Sequence, residues 1–221
     1  MSVEQILFDV SEALRVPVLV LSLVALALVL VEAGALLAEL RRRRGRSVWQ
    51  LDNAIAECQG RLAAGMRQEA LVALLPLARN RAMEEVLADV VEQVGRPGAE
   101  PRVAKRLAEY DYRSLRRLER TRILVRMGPA LGLMGTLIPL SPALAGLADG
   151  DVATLTENLR VAFSVTVAGL LVGAIAFAIS MVRDRLYAQD YSDVEYVGAS
   201  LIAPSGNGLP AAQHSHWAVA P

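Results

Sequence analysis

The sequence predicts an all-α integral membrane protein: three transmembrane helices with a large helical cytoplasmic insert between the first and the second. Three observations predict it. Apolar residues make up 54% of the 221 and concentrate in three blocks, 16–40, 127–148 and 161–182. Each block is long enough, at ~1.5 Å per residue, to cross ~30 Å of hydrocarbon. Arginines cluster at one end of all three blocks, and the apolar residues of the intervening segment recur at helical spacing. The formal net charge is zero, which argues against a nucleic-acid partner.

Ahead of the first block, Val3, Ile6, Leu7, Val10 and Leu14 lie at helical intervals, with Glu4, Asp9 and Glu12 between them. This predicts an amphipathic helix over 1–15, lying on the outer membrane surface. Acidic residues where a basic region belongs argue against a secretory leader. Pro17 suits the first turn of the spanning helix 16–40, where a missing N–H costs nothing.

Basic residues favour the cytoplasmic side of short loops. "RRRRGR" (41–46) ends the first block, Arg122 and Arg126 precede the second, and Arg183 and Arg185 follow the third. Asp149, Asp151 and Glu157 occupy the segment between the second and third, with no Lys or Arg before Arg160. The N-terminus is therefore expected outside, segment 41–126 in the cytoplasm, a short acidic loop over 149–160 outside, and the C-terminus in the cytoplasm.

Within the insert, Leu51, Ile55, Cys58 and Leu62 mark one helical stripe. Met83, Val86, Leu87, Val90, Val91 and Val94 mark a second, with Gly95 at a capping position. "GRPGAEP" (95–101) reads as a turn. Val103, Leu107, Tyr110 and Leu118 then share a face of a helix expected to run unbroken into the second span. These faces have two possible partners: the spans of neighbouring subunits, or one another in a small bundle. The third helix is expected to continue as a cytoplasmic extension over 183–202, through Leu186, Val194 and Val197. Segment 203–221 lacks periodicity and is expected to be a disordered tail. Its His214 and His216 have no carboxylate or thiol nearby, and Cys58 is the only cysteine, so neither a disulfide nor a thiolate metal site is expected.

In the second block Gly128, Gly132, Gly135 and Pro139 fall at intervals of four, three and four, with Thr136 beside that face. In the third, Ala162, Thr166, Gly169, Gly173, Ala176 and Ser180 form a second stripe of small residues. Gly128/Gly132 and Gly169/Gly173 are both Gly-xxx-Gly pairs. Small residues let helices approach closely in lipid, so the glycines read mainly as packing seams. A lone threonine in a span commonly bonds back to a carbonyl one turn earlier. Two threonines on adjacent spans, each among small residues, also fit a narrow polar passage. Glu32 is the one ionisable side chain well inside an apolar block and so a candidate intramembrane acid. Arg41 lies nine residues on, ~13 Å at helical rise, which favours a structural role for Glu32 near the inner boundary.

"GPALGLMGTL" (128–137), followed by "VAFSVTVAGLLVGAIA" (161–176), resembles the paired pore-helix motifs of the MotA/TolQ/ExbB proton-channel family. The three-span plan with a large insert is similar to its ExbB/TolQ branch. The resemblance is close over 122–185 and elsewhere a matter of layout. It implies a homopentamer in the inner (cytoplasmic) membrane. The pentamer would surround a dimeric single-span partner of the ExbD/TolR/MotB kind, which carries an intramembrane Asp. Thr136 and Thr166 match the family's pore threonines, and Gly169 the glycine after the second. Three positions depart from the pattern. Val161 stands where the branch has a Glu, 174–176 replaces a proline, and Pro139 occupies a place that more often holds Gly.

The resulting expectation is a pore-forming subunit of an ion-driven motor, with no enzymatic activity and no cofactor. No nucleophile–base pair, phosphate loop or metal constellation is visible in the sequence. The alternative is a three-span structural or accessory subunit of a transporter. Arg113, Arg116, Arg117, Arg120, Arg122 and Arg126 crowd the helix entering the second span. They read as topology-setting residues in contact with anionic headgroups, or alternatively as a surface for a cytoplasmic partner.

Overall fold

A computed structural model describes residues 3–43 and 48–202. The proposed tail, with His214 and His216, and the rest of the arginine run after Arg43 lie outside the described residues. Those described form seven α-helices: α1 (Val3–Ala13), α2 (Arg15–Arg42), α3 (Val48–Ala63), α4 (Arg67–Leu74), α5 (Arg81–Gln93), α6 (Ala99–Ala148) and α7 (Val152–Ile202), with a 3₁₀ turn at Leu75–Leu77. Three helical runs are long and apolar enough to cross a membrane: Phe8–Arg41, Ala99–Ala148 and Val152–Ile202.

Leu14 joins α1 to α2 with helical dihedrals (φ −76°, ψ −10°). Its N–H donates to the Val10 carbonyl at 3.1 Å, and its own carbonyl accepts from Val18 at 3.0 Å. The amphipathic segment thus leads into the first span without a loop. At ~1.5 Å per residue, the 50 residues of α6 and 51 of α7 reach ~75 Å, well over twice the hydrocarbon thickness. α6 continues through Pro129, Pro139 and Pro142.

The turn between α6 and α7 is shorter than the acidic loop expected over 149–160, because α7 begins at Val152. Gly150 supplies the left-handed residue (φ +76°), and the Asp151 carboxylate accepts the Thr154 N–H at 3.0 Å. An acceptor there satisfies one of the unpaired donors at a helix start and lets the helix begin early. The Thr154 hydroxyl and backbone bonds hold the Asp151 carboxyl below its ordinary pKa.

Two cores form. In the first, α3, α4 and α5 bury Ile55, Cys58, Leu74, Met83, Leu87 and Val90 against Val103, Leu107 and Tyr110 of α6 and Val194, Val197 and Leu201 of α7. The insert therefore packs on the extensions of its own chain's long helices. Asn80 caps α5 by accepting the Met83 N–H at 2.9 Å. In the second core, Ala25, Val29 and Leu36 of α2 meet Leu131 of α6 and Val172, Ala176 and Ile179 of α7.

Candidate functional site

The small-residue stripes of α6 and α7 face each other within one chain. A Cβ added at Gly169 would lie 2.5 Å from the Gly128 carbonyl oxygen and 2.7 Å from the Gly132 Cα. One at Gly128 would lie 2.7 Å from the Gly169 oxygen, and one at Gly173 2.9 Å from Pro129 Cδ. A Cβ at Gly135 would overlap the Val165 side chain. Gly128, Gly132, Gly135 and Pro139 are buried along α6, as are Gly169 and Gly173 along α7. The stripes thus satisfy each other without a neighbouring subunit. The faces left for other chains or lipid are large and apolar: Leu133, Leu137 and Leu144 on α6, and Phe163, Val167 and Leu170 on α7.

Both candidate threonines sit at the edge of this seam, half-buried. The Thr166 hydroxyl donates to Ala162 O of its own helix at 2.9 Å and lies 3.3 Å from Gly132 O of α6. The Thr136 hydroxyl donates to Leu133 O at 2.7 Å. No hydrogen bond joins the two threonines among the described residues. A hydroxyl has one proton and two lone pairs. With that proton on a main-chain carbonyl, each oxygen remains an acceptor. Thr136 is one turn beyond Gly132, ~6 Å along the axis, so the two hydroxyls sit at successive levels.

Glu32 lies outside this pair. Its Oε2 is 2.5 Å from Arg183 Nη1, and the same nitrogen lies 3.3 Å from the Thr121 hydroxyl oxygen. Glu32, Thr121 and Arg183 thus link all three long helices at the arginine-bearing end of the apolar blocks. Arg183 is 8% exposed, so its charge requires a carboxylate partner. Seven residues further along both helices, Glu39 and Asp190 engage Arg43, which is bidentate to Asp190 at 2.7 Å for both bonds and 2.6 Å from Glu39. The heptad spacing shows α2 and α7 running parallel. At the opposite end, Arg15 donates to buried Asn158 at 2.8 Å.

Sequence reasoning missed these ties. It read Arg183 as a topology signal, passed over Arg15, and assigned nothing to Asn158 or Asp190. Only the distance of each residue from the ends of its apolar block could have suggested a shared level. For Glu32 that count reaches only the vicinity of the inner boundary, because α2 stays helical to Arg42, and it does not single out Arg183.

These features define a class: an all-helical membrane protein whose last two long helices pack backbone against backbone and carry hydroxyls at the seam. The chain belongs to the MotA/TolQ/ExbB proton channel family, whose family model matches residues 76–195, more than half of its length. The match takes in α5, α6 and most of α7, including both threonines. This is a channel family, not an enzyme family. Neither a curated protein nor a solved structure matches the chain.

Proposed function

We propose that this chain is the pore-forming subunit of a proton-motive-force-driven motor of the ExbB/TolQ/MotA kind. In this reading it sits in the inner membrane, N-terminus outside and C-terminus in the cytoplasm, with α1 on the outer surface. It assembles as a homopentamer around a single-span partner dimer carrying an intramembrane Asp. One observation carries the reading: segments 127–148 and 161–182 contain hydroxyls but no Asp, Glu, His or Lys. The acid of the first span, Glu32, is engaged by Arg183. The proton carrier must then come from another chain.

The threonine geometry suits that division of labour. A protonated partner carboxyl donates to a hydroxyl oxygen whose own proton rests on a main-chain carbonyl. Once the carboxyl has released its proton to water on the cytoplasmic side it needs a donor instead, and the Thr166 proton turns from Ala162 O toward it. The turn gives up one hydrogen bond of ~1 kcal/mol. A unit charge crossing 100 mV releases ~2.3 kcal/mol, enough to offset it. Glu32, Arg183 and Thr121 keep α2 fixed to the pore pair.

Thr166→Val keeps the shape and removes the hydroxyl, whereas Thr166→Ser keeps the hydroxyl. Partner-dependent proton flux in vesicles, normalised to assembled complex, should fall roughly ten- to a hundredfold in the Val variant. That corresponds to loss of a bond to a charged group, worth ~1.5–3 kcal/mol. The Ser variant should keep most of its flux. Full flux with Val, and a mild defect with Ser, would sink the pore role of Thr166 and leave it a packing residue; no partner-dependent flux in the wild-type protein would favour the transporter-scaffold alternative.

A further inference from the structure

Where the insert meets the spans, α2, α6 and α7 border an open groove of about 790 Å³. Its walls carry Arg113, Arg116, Arg117 and Arg120 of α6 and Arg183 of α7. The four α6 arginines fall at i, i+3, i+4 and i+7, which is one helix face. Two of the groove's charges are already answered. Arg183 pairs with Glu32, and Arg113 lies 3.4 Å from Glu85. Arg116, Arg117 and Arg120 make no ion pair among the described residues, against one further wall carboxylate, Glu119. The Arg183 Nε–H in the same wall is buried and has no partner among the described residues.

We propose that this groove holds the phosphate-bearing headgroup of an anionic phospholipid. Guanidinium groups take phosphate oxygens in pairs, with a geometry an ammonium cannot reproduce. Basic pockets between spans suit acidic headgroups. The level is right as well. Arg120 precedes Met127 by seven residues, ~10 Å along the helix, close to the ~5–8 Å headgroup layer outside the hydrocarbon. Ile123 also lines the groove and is 59% exposed. A free polar groove gives that side chain no partner, whereas a lipid with its phosphate at Arg117 and Arg120 lays an acyl chain beside it. A soluble acidic partner would match the arginines and leave Ile123 in water.

The test titrates the purified full-length assembly, in neutral detergent, with phosphatidylglycerol or phosphatidylcholine, reading bound lipid by native mass spectrometry. Arg117→Gln/Arg120→Gln alters two exposed residues of the groove. Arg102→Gln/Arg106→Gln removes the same charge from the same helix, away from it. At the contribution usual for a basic residue at a membrane surface, the groove variant should bind phosphatidylglycerol roughly thirtyfold more weakly than wild type. The Arg102/Arg106 variant should stay close to wild type, and phosphatidylcholine should bind weakly throughout. Equal phosphatidylglycerol binding by all three proteins would overturn the proposal, as would equal affinity for the two lipids. Complete displacement by millimolar inorganic phosphate would show a free-anion site instead, and tighter binding of a Glu-rich peptide a protein-docking surface.

Discussion

Midway along their lengths, α6 and α7 meet through Gly128, Gly132 and Gly135 on one side and Gly169 and Gly173 on the other. At their far ends the same two helices meet across a bundle, with Val103, Leu107 and Tyr110 of α6 and Val194, Val197 and Leu201 of α7 closing on Leu74, Met83 and Leu87. One helix pair therefore packs by removing side chains midway and by filling space with them at its far end. The solvent explains the difference. In water, burying apolar area gains ~25 cal/mol per Å², so large side chains drive assembly. Lipid tails are as apolar as leucine, so only close contact between helices is gained, and a missing Cβ brings backbones nearer. The two regions should respond to opposite kinds of substitution.

The largest effect is expected in the bundle. Leu87 is fully buried, and Leu87→Ala should destabilise it by ~2–5 kcal/mol through lost burial and the cavity left behind. Denaturant unfolding of the purified protein, followed by circular dichroism, measures this. A change near zero would mean that the insert finds its stability elsewhere.

The seam should fail when volume is added. Gly169→Ala places a methyl against the backbone of Gly128 and Gly132, which must move apart at a cost of ~1–3 kcal/mol. Denaturant unfolding of the purified protein in mild detergent should show a loss of that size. Gly60, on the exposed face of α3, has nothing within 4 Å of its Cβ position. The same change there should stabilise the protein by ~0.5–1 kcal/mol through helix propensity. If the two variants behave alike, the seam is not backbone against backbone.

The smallest expected effect is an absence of reaction. Cys58 has no exposed surface, and burial pushes its thiol up to about 11. The thiolate is the reactive form, so at neutral pH a maleimide should leave Cys58 unmodified in the folded protein and label it after denaturation. Rapid labelling of the native protein would mean that the bundle opens readily.

Much of the architecture was legible because it rests on local periodicity. Ile55, Cys58, Met83, Val86, Leu87, Val90, Val103, Leu107 and Tyr110 mark apolar stripes by their spacing, and each is buried; spacing left open whether those stripes meet one another or a neighbouring subunit. Leu62 and Val94, at the ends of their stripes, are half-buried, as helix ends commonly are. The glycine stripes were legible as seams, but their destination was not. Spacing identifies a face, not what it meets, and here each face meets the other stripe of its own chain rather than a neighbour. The lateral position of Thr136 was visible from the intervals, whereas the approach of Thr166 to the Gly132 carbonyl was not.

Legible without a structure is whatever follows from one helix at a time: three apolar lengths, the arginine-bearing ends, the amphipathic faces of the insert, and the motif pair that resembles the family's pore helices. Tertiary structure alone decided which distant groups share a level. Glu32 with Arg183, Arg43 with Asp190, and Arg15 with Asn158 are separated by more than 140 residues of chain. A helix fixes the rotation and rise of its own residues but leaves open its axial offset against a neighbour. That offset is set by side-chain and backbone contact along the whole length of the pair, so the charges that meet are known only once the helices have packed.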